Sequence, residues 1–309
     1  MALAIEYRPK TLDEVRGNEN TVKALASCLA KSRESIQHSF LFTGLSGGGK
    51  TTLARIVASM LGCVGSDFHE IDSADFRGID SVRDIRRSMM YTPAEGSCSV
   101  WLLDEVHQMT KDAQTALLKA LEEAPDHVYF MLATTDSEKL LPTVRGRCAS
   151  FEVQPLDLDD MVDFLTDIAR QERKRVPVDV VKQIARDSMG SCRNALQVLD
   201  KVIDLPVADM LLAAERTAAQ ENQVIELCRS LFAGEKWPKI STILRGLGKE
   251  DIEKTRLAVI NYCANVLLSE KTKDAPQAFV VLDCFKDPFY NSGRAGLVRA
   301  SYEAVEGCK

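Results

Sequence analysis

The stretch "LFTGLSGGGKTTLARIVA" (residues 41–58) sets three consecutive glycines, a lysine and two threonines between two apolar runs. Glycine weakens regular structure because it loses the most backbone freedom on ordering. A lysine is misplaced at the start of a helix, where the macrodipole is already positive. A bound anion answers both objections. The octet GLSGGGKT fits G-x-x-x-x-G-K-[ST], a loop whose glycines let backbone N–H groups turn inward around phosphate oxygens. On this reading Gly44, Gly47, Gly48 and Gly49 form the cradle, with Thr52 beside it. Lys50 reaches the β- and γ-phosphates of a nucleotide, and Thr51 supplies a hydroxyl ligand to Mg2+. The loop follows an apolar strand and opens a helix with Leu53, Ile56, Val57 and Met60 on one face, the context such a loop requires.

The second half of such a site is an acidic residue at the end of an apolar strand. "VWLLDEVH" (100–107) supplies it. Asp104 at the tip would hold Mg2+ through water. Glu105 beside it would polarise a water for attack on the γ-phosphate, a task for a carboxylate base. His107 is expected to begin a helix or support a neighbour rather than to catalyse. "VYFMLATT" (128–135) ends in Thr134 and Thr135, hydroxyls that could bond the γ-phosphate or the attacking water, or could satisfy their own backbone.

Up to about residue 154 short apolar runs at 39–44, 68–72, 99–104, 128–135 and 149–153 alternate with helical stretches. This is the signature of a βα repeat and a mostly parallel sheet. After Pro155 the strand signal stops. Three short helices are expected at 157–173, 177–188 and 192–204, then about five more from Pro206 onward. The expected organisation is an α/β domain (1–154), a small helical domain (155–205) and a helical tail (206–309). With 45% hydrophobic and 27% charged residues the chain has a globular composition. No apolar run reaches the roughly 18 residues a bilayer span needs. The first residues lack the basic start and apolar core of a secretion signal. Nine scattered cysteines, with no C-x-x-C pair, read as reduced thiols in a cytosolic protein. A net charge of −6 argues against bulk attraction to nucleic acid and leaves room for a local basic track.

Together these motifs resemble the clamp-loader ATPases of the AAA+ class: the gamma/tau-type subunit of bacterial DNA polymerase III and the small subunits of replication factor C. "EYRPKTLDEVRGNE" (6–19), "GLSGGGKTT", "VWLLDEVHQMTKDAQTALLKALEEAP", "FMLATT", "TVRGRC" and "GSCRNALQVLD" follow in that family's order over roughly residues 5–203. The resemblance implies an α/β AAA+ P-loop domain with a parallel sheet, a small helical lid and an all-α collar that holds subunits together. It implies ATP and Mg2+ as cofactors, with the segment around Tyr7, Arg8 and Pro9 wrapping the adenine. Thr135 becomes the strand-tip sensor of the γ-phosphate, Arg193 a lid residue on phosphate, and Arg147 a finger entering a neighbouring subunit's site. An arginine supplied in trans neutralises charge that Lys50 and the metal leave over, raising rates by several orders of magnitude. The family string at that point is Ser-Arg-Cys; Gly146 replaces the serine here and puts the loop geometry in question. Arg145 could be a decoy or a helper. Gamma/tau subunits insert a four-cysteine zinc module between the phosphate loop and the D-E strand; with Lys50 and Asp104 only 54 positions apart (104 − 50), no zinc is expected.

"RGIDSVRDIRRSMMY" (77–91) concentrates four arginines, and its "RGID.VR" resembles the replication factor C string that follows duplex DNA. On a helix starting near Asp80, Arg83 and Arg87 share a face. With Arg77 and the Ile79 N–H they would form a phosphate-tracking stripe without base readout; a solvated face balanced by Asp80 and Asp84 is the alternative. Met89, Met90 and Tyr91 stand where related subunits touch the sliding clamp, and core burial is the competing fate. The implied function is an ATPase subunit of a sliding-clamp loader. It would work with the clamp, primer–template DNA and other loader subunits, several copies of itself and a distinct subunit among them, and with no membrane. A branch-migration or fork-maintenance AAA+ enzyme is the first alternative. A non-hydrolysing stator is the second; such subunits typically lack the loop lysine or the D-E pair, and this chain keeps Lys50, Thr51, Asp104 and Glu105.

Overall fold

The computed structural model describes residues 2–73, 76, 78–221, 223–247, 252–268, 275–289 and 292–306. Five strands fall where the apolar runs predict them: β1 (Ser39–Gly44), β2 (Phe68–Asp72), β3 (Ser99–Asp104), β4 (Val128–Thr134) and β5 (Ala149–Val153). All pair in parallel, in the order β2-β3-β4-β1-β5. β4 is therefore inserted between β1 and β3, although it follows both in sequence.

Side chains alternate across each strand, so the sheet carries two cores. Phe40, Phe42, Val100, Leu102 and Met131 face α2 (Glu19–Leu29) and α3 (Lys50–Met60) through Leu25, Leu53, Ile56 and Val57. Leu41, Trp101, Leu103, Phe130 and Leu132 face α4 (Ile79–Ser88) and α5 (Lys111–Glu122) through Val82, Ile85, Ala113 and Leu117. Met60, expected on the buried face of α3, is the last residue of that helix and lies exposed. Two one-turn helices, α1 (Leu3–Glu6) and α6 (Pro142–Arg145), complete the helices up to β5.

The α/β region, residues 5–156, is one compact unit. Residue 157 onward forms a second, which also takes up the start of the chain: the Leu3 N–H donates to Asp200 Oδ1 at 3.4 Å. Its first helices are α7 (Leu158–Gln171), α8 (Val178–Asp187) and α9 (Cys192–Val202), each within a residue or two of the expected span. Asp157 and Ser191 cap α7 and α9, their side chains accepting the backbone N–H of Asp160 and Asn194. α10 (Val207–Glu221), α11 (Gln223–Phe232), α12 (Trp237–Gly246), α13 (Ile252–Leu268), α14 (Ala275–Phe285) and α15 (Gly293–Glu306) follow. A core of Leu231, Ile240, Tyr262, Phe285 and Leu297 joins α11 to α15, while α10 packs on α8 and α9.

Candidate nucleotide site

The ends of β1, β3 and β4 lie side by side, and ligands of parallel α/β sheets bind at such carboxyl edges. Gly44 ends β1 at φ +144°, beside Val153 of β5; a Cβ there would stand 2.1 Å from the Val153 carbonyl oxygen. Gly47 and Gly49 also adopt left-handed φ of 72° and 106°, which L side chains resist. These glycines are thus required by the backbone path that brings the loop round to the start of α3. Lys50, only 5% exposed, donates from Nζ to the carbonyls of Gly44 and Leu45, both at 3.0 Å. Its charge is held over the loop. Thr51 Oγ1 donates to Asp104 Oδ2 at 2.9 Å, so the two expected metal ligands already meet. Thr52 is half-buried in the first turn of α3.

Glu105 follows Asp104 with φ +48°, a conformation that costs a non-glycine residue about 1–3 kcal/mol and gathers at functional sites. Its Oε2 accepts from Thr135 Oγ1 at 3.0 Å and from the Thr135 N–H at 3.3 Å. His107, in the turn Val106–Gln108, places Nδ1 3.2 Å from Glu105 Oε2 and 3.0 Å from Thr134 Oγ1. Thr134 is fully buried and also accepts the Asp136 N–H at 3.0 Å. The two threonines thus divide the roles left open by the sequence: Thr134 satisfies backbone and His107, and Thr135 holds Glu105. The His107 contact has no sequence signature, because it depends on β4 reaching β3.

Glycine cradle, buried ammonium and a hydroxyl–carboxylate pair fit a phosphate-bearing nucleotide with a hard, oxygen-seeking cation. Tyr7, Arg8 and Pro9 are half-buried ahead of the turn Leu12–Glu14, whose Leu12 joins the core under α2 and α3. Arg193 is the second residue of α9, exposed, in the helical unit.

Arg147 forms an ion pair with Glu122 at the end of α5, and its NH1 donates to the Thr143 carbonyl at 3.2 Å. Gly146 has φ −66° and ψ −15°, helical values open to any residue, so the missing serine marks no special backbone path. A Cβ there would lie 3.3 Å from the Pro142 carbonyl oxygen. The Nε of Arg145 is buried and lacks a partner.

Arg77 lies outside the described residues. Ile79 begins α4, and Arg83 and Arg87 are exposed along it, bonded to Asp80 at 2.7 Å and Asp84 at 3.4 Å; Arg86 points off the stripe to Glu123. Such exposed pairs are worth about 0–1 kcal/mol and do not commit either arginine. Met89 requires a correction. Expected with Met90 and Tyr91 on a contact surface, it is 1% exposed and packs with Val82 and Ile85, because it continues their helical face. Met90 and Tyr91 remain outside, 55% and 76% exposed.

The strand order, the phosphate loop ending β1 and the acidic pair ending β3 define a P-loop protein of the AAA+ class. The RuvB Holliday junction branch migration motor of Thermotoga maritima superimposes with a TM-score of 0.62, covering 87% of this chain and 94% of its own at 23% identity. A family model described as DNA polymerase III, delta subunit, matches residues 64–157. The tau subunit of Escherichia coli DNA polymerase III is 32% identical over 295 residues, which cover 86% of this chain and 46% of the relative. The gamma subunit of Buchnera aphidicola subsp. Baizongia pistaciae is 31% identical over 254 residues, covering 74% and 68% respectively. This chain belongs to the DNA polymerase III gamma/tau subunit family. It spans about half the length of the Escherichia coli tau subunit.

Proposed function

We propose that the protein is an ATPase subunit of a DNA sliding-clamp loader. The observation that carries this is the Thr51–Asp104 contact at the mouth of the glycine loop, 2.9 Å long, in a chain of the gamma/tau family. ATP would lie with its phosphates in the Gly44–Gly49 loop and its adenine against Tyr7, Arg8 and Pro9. Thr51 and Asp104 would hold Mg2+, which supplies charge neutralisation at the β- and γ-phosphate oxygens. Lys50 exchanges its carbonyl partners for phosphate oxygens. Glu105 draws a proton from the attacking water, and Thr135 holds that carboxylate until the γ-phosphate claims its hydroxyl. Arg193 contacts phosphate from a lid formed by residues 155–205. Residues 206–309 form the collar on which copies of this chain and distinct subunits assemble in the cytoplasm, and Arg147 completes the next subunit's site. Primer–template DNA would run along Ile79, Arg83 and Arg87, with Arg77 extending the stripe, and Met90 with Tyr91 would touch the clamp.

The test is steady-state ATP hydrolysis by the protein assembled with its partner subunit. Primed DNA and sliding clamp together should accelerate turnover. Absence of stimulation by either removes the assignment. The RuvB likeness supports a second reading, branch migration, on fold alone. Stimulation by a four-way DNA junction, with no response to clamp, would select that reading instead.

A further inference from the structure

The helical unit contains a buried ion pair that the proposed chemistry does not use. Asp187, the last residue of α8, is 1% exposed and pairs with Arg229 of α11. A carboxylate is poorly placed there, since it is desolvated and sits at the negative end of its helix. Burial pushes its pKa up to about 6, against the attraction of Arg229 and a 3.1 Å hydrogen bond from Gln183 Nε2. Its Oδ1 has no partner at all. Arg229 is also fixed from a second side: its NH1 donates to the Glu215 carbonyl of α10. Two collar-side helices, α10 and α11, thus converge through one guanidinium on the end of α8.

What leaves that end is a tight turn. Met189 and Gly190 are consecutive left-handed residues, φ 49° and 78°, and left-handed backbone is unfavourable for methionine. The Ser191 N–H returns to the Ser188 carbonyl at 2.9 Å, and Ser191 then caps α9. Arg193 emerges two residues later. The turn is therefore pinned at one end by the Ser191 cap and at the other by Asp187, so the position of Arg193 depends on what holds Asp187.

We infer that Arg229, through Asp187, is a positioning residue for Arg193, so that the collar helices set where the lid arginine stands. The inference rests on the nucleotide role proposed for Arg193. Both arginines belong to the helical unit, and the coupling runs through bonded neighbours within it.

The experiment is a double-mutant cycle in the full chain, reading the affinity for a non-hydrolysable ATP analogue. Arg229→Met is expected to weaken binding about tenfold, the scale of coupling between residues in one network, and Arg229→Lys to recover part of it. In an Arg193→Ala background Arg229→Met should cost nothing further. Losses that add, or an unchanged affinity beside a lowered unfolding temperature, overturn the inference and leave a purely structural ion pair. If Arg193→Ala alone changes nothing, the role of Arg193 falls and this inference with it, a result distinct from failure at Arg229 only. Should Arg229→Met not fold, Asp187→Asn, which keeps the side chain's shape and removes its charge, is read against the same criteria.

Discussion

Thr135 and Glu105 hold each other: the threonine donates both its hydroxyl and its backbone N–H to Glu105 Oε2, at 3.0 and 3.3 Å. The side chain expected to sense γ-phosphate is thereby bonded to the one expected to activate water. A carboxylate accepting these bonds is restrained in direction, and its release requires a competing acceptor for the threonine hydroxyl. Glu105→Gln keeps the shape and loses the base. Turnover should fall by about 10²–10⁴-fold, the usual contribution of a general base, with nucleotide affinity retained. Single-turnover hydrolysis beside equilibrium binding measures both; wild-type turnover in the variant would remove Glu105 from the chemistry.

Arg147 pairs with Glu122 with side chains 39% and 48% exposed. A pair this open is worth about 0–1 kcal/mol, small beside the 10³–10⁵-fold that an arginine finger supplies. Arg147→Ala should therefore abolish turnover in the assembled complex and spare nucleotide binding, while Glu122→Gln leaves turnover within a few-fold of wild type. Loss of binding in Arg147→Ala would show that the arginine serves its own subunit's site.

Removing Arg83 and Arg87 together tests the stripe on α4. Each phosphate contact contributes about 0.9 to the slope of log affinity against log salt. The double alanine variant should lose up to about 2 from that slope and weaken binding alike for all sequences. An unchanged slope assigns both arginines to Asp80 and Asp84 alone.

Met89, Met90 and Tyr91 are adjacent in sequence and different in environment. Met89→Ala removes a fully packed side chain and should destabilise the α/β unit by about 2–5 kcal/mol. Met90→Ala and Tyr91→Ala should shift stability by no more than about 0.5 kcal/mol and weaken clamp capture. Equal thermal shifts in all three would contradict the burial difference.

Asp67 gives a pH signature. Its buried carboxylate accepts backbone N–H bonds from Gly96, Ala94 and Glu95 at 2.6, 2.7 and 2.9 Å, and these hold its pKa below the ordinary value. A depressed folded pKa means that the stabilisation is present above the unfolded value of about 3.9 and is lost as pH falls through the lower folded one. Asp67→Asn should melt below wild type at neutral pH, and the difference should close as pH drops below about 4. A gap that persists at low pH would mean that the lost contact is not ionic.

The phosphate loop, the five strands and Asp104 at a strand tip were legible in the sequence because each depends on residues close in the chain. Glycine tolerance, a short apolar run and a terminal acidic residue are local properties. The apolar cluster Met89, Met90 and Tyr91 at the end of α4 was legible too, yet the sequence could not say which of Met89 and Met90 faces the core, since one residue turns a helix by about 100°. The bond between Thr135 and Glu105 and its support by His107 were decided by tertiary structure, because β4 enters the sheet between two strands formed earlier in the chain. The same holds for Asp187 and Arg229, brought together over 42 positions only when α11 packs near the end of α8. Short-range sequence encodes the faces of each element; which faces and ends become neighbours is settled by how the elements are arranged in space.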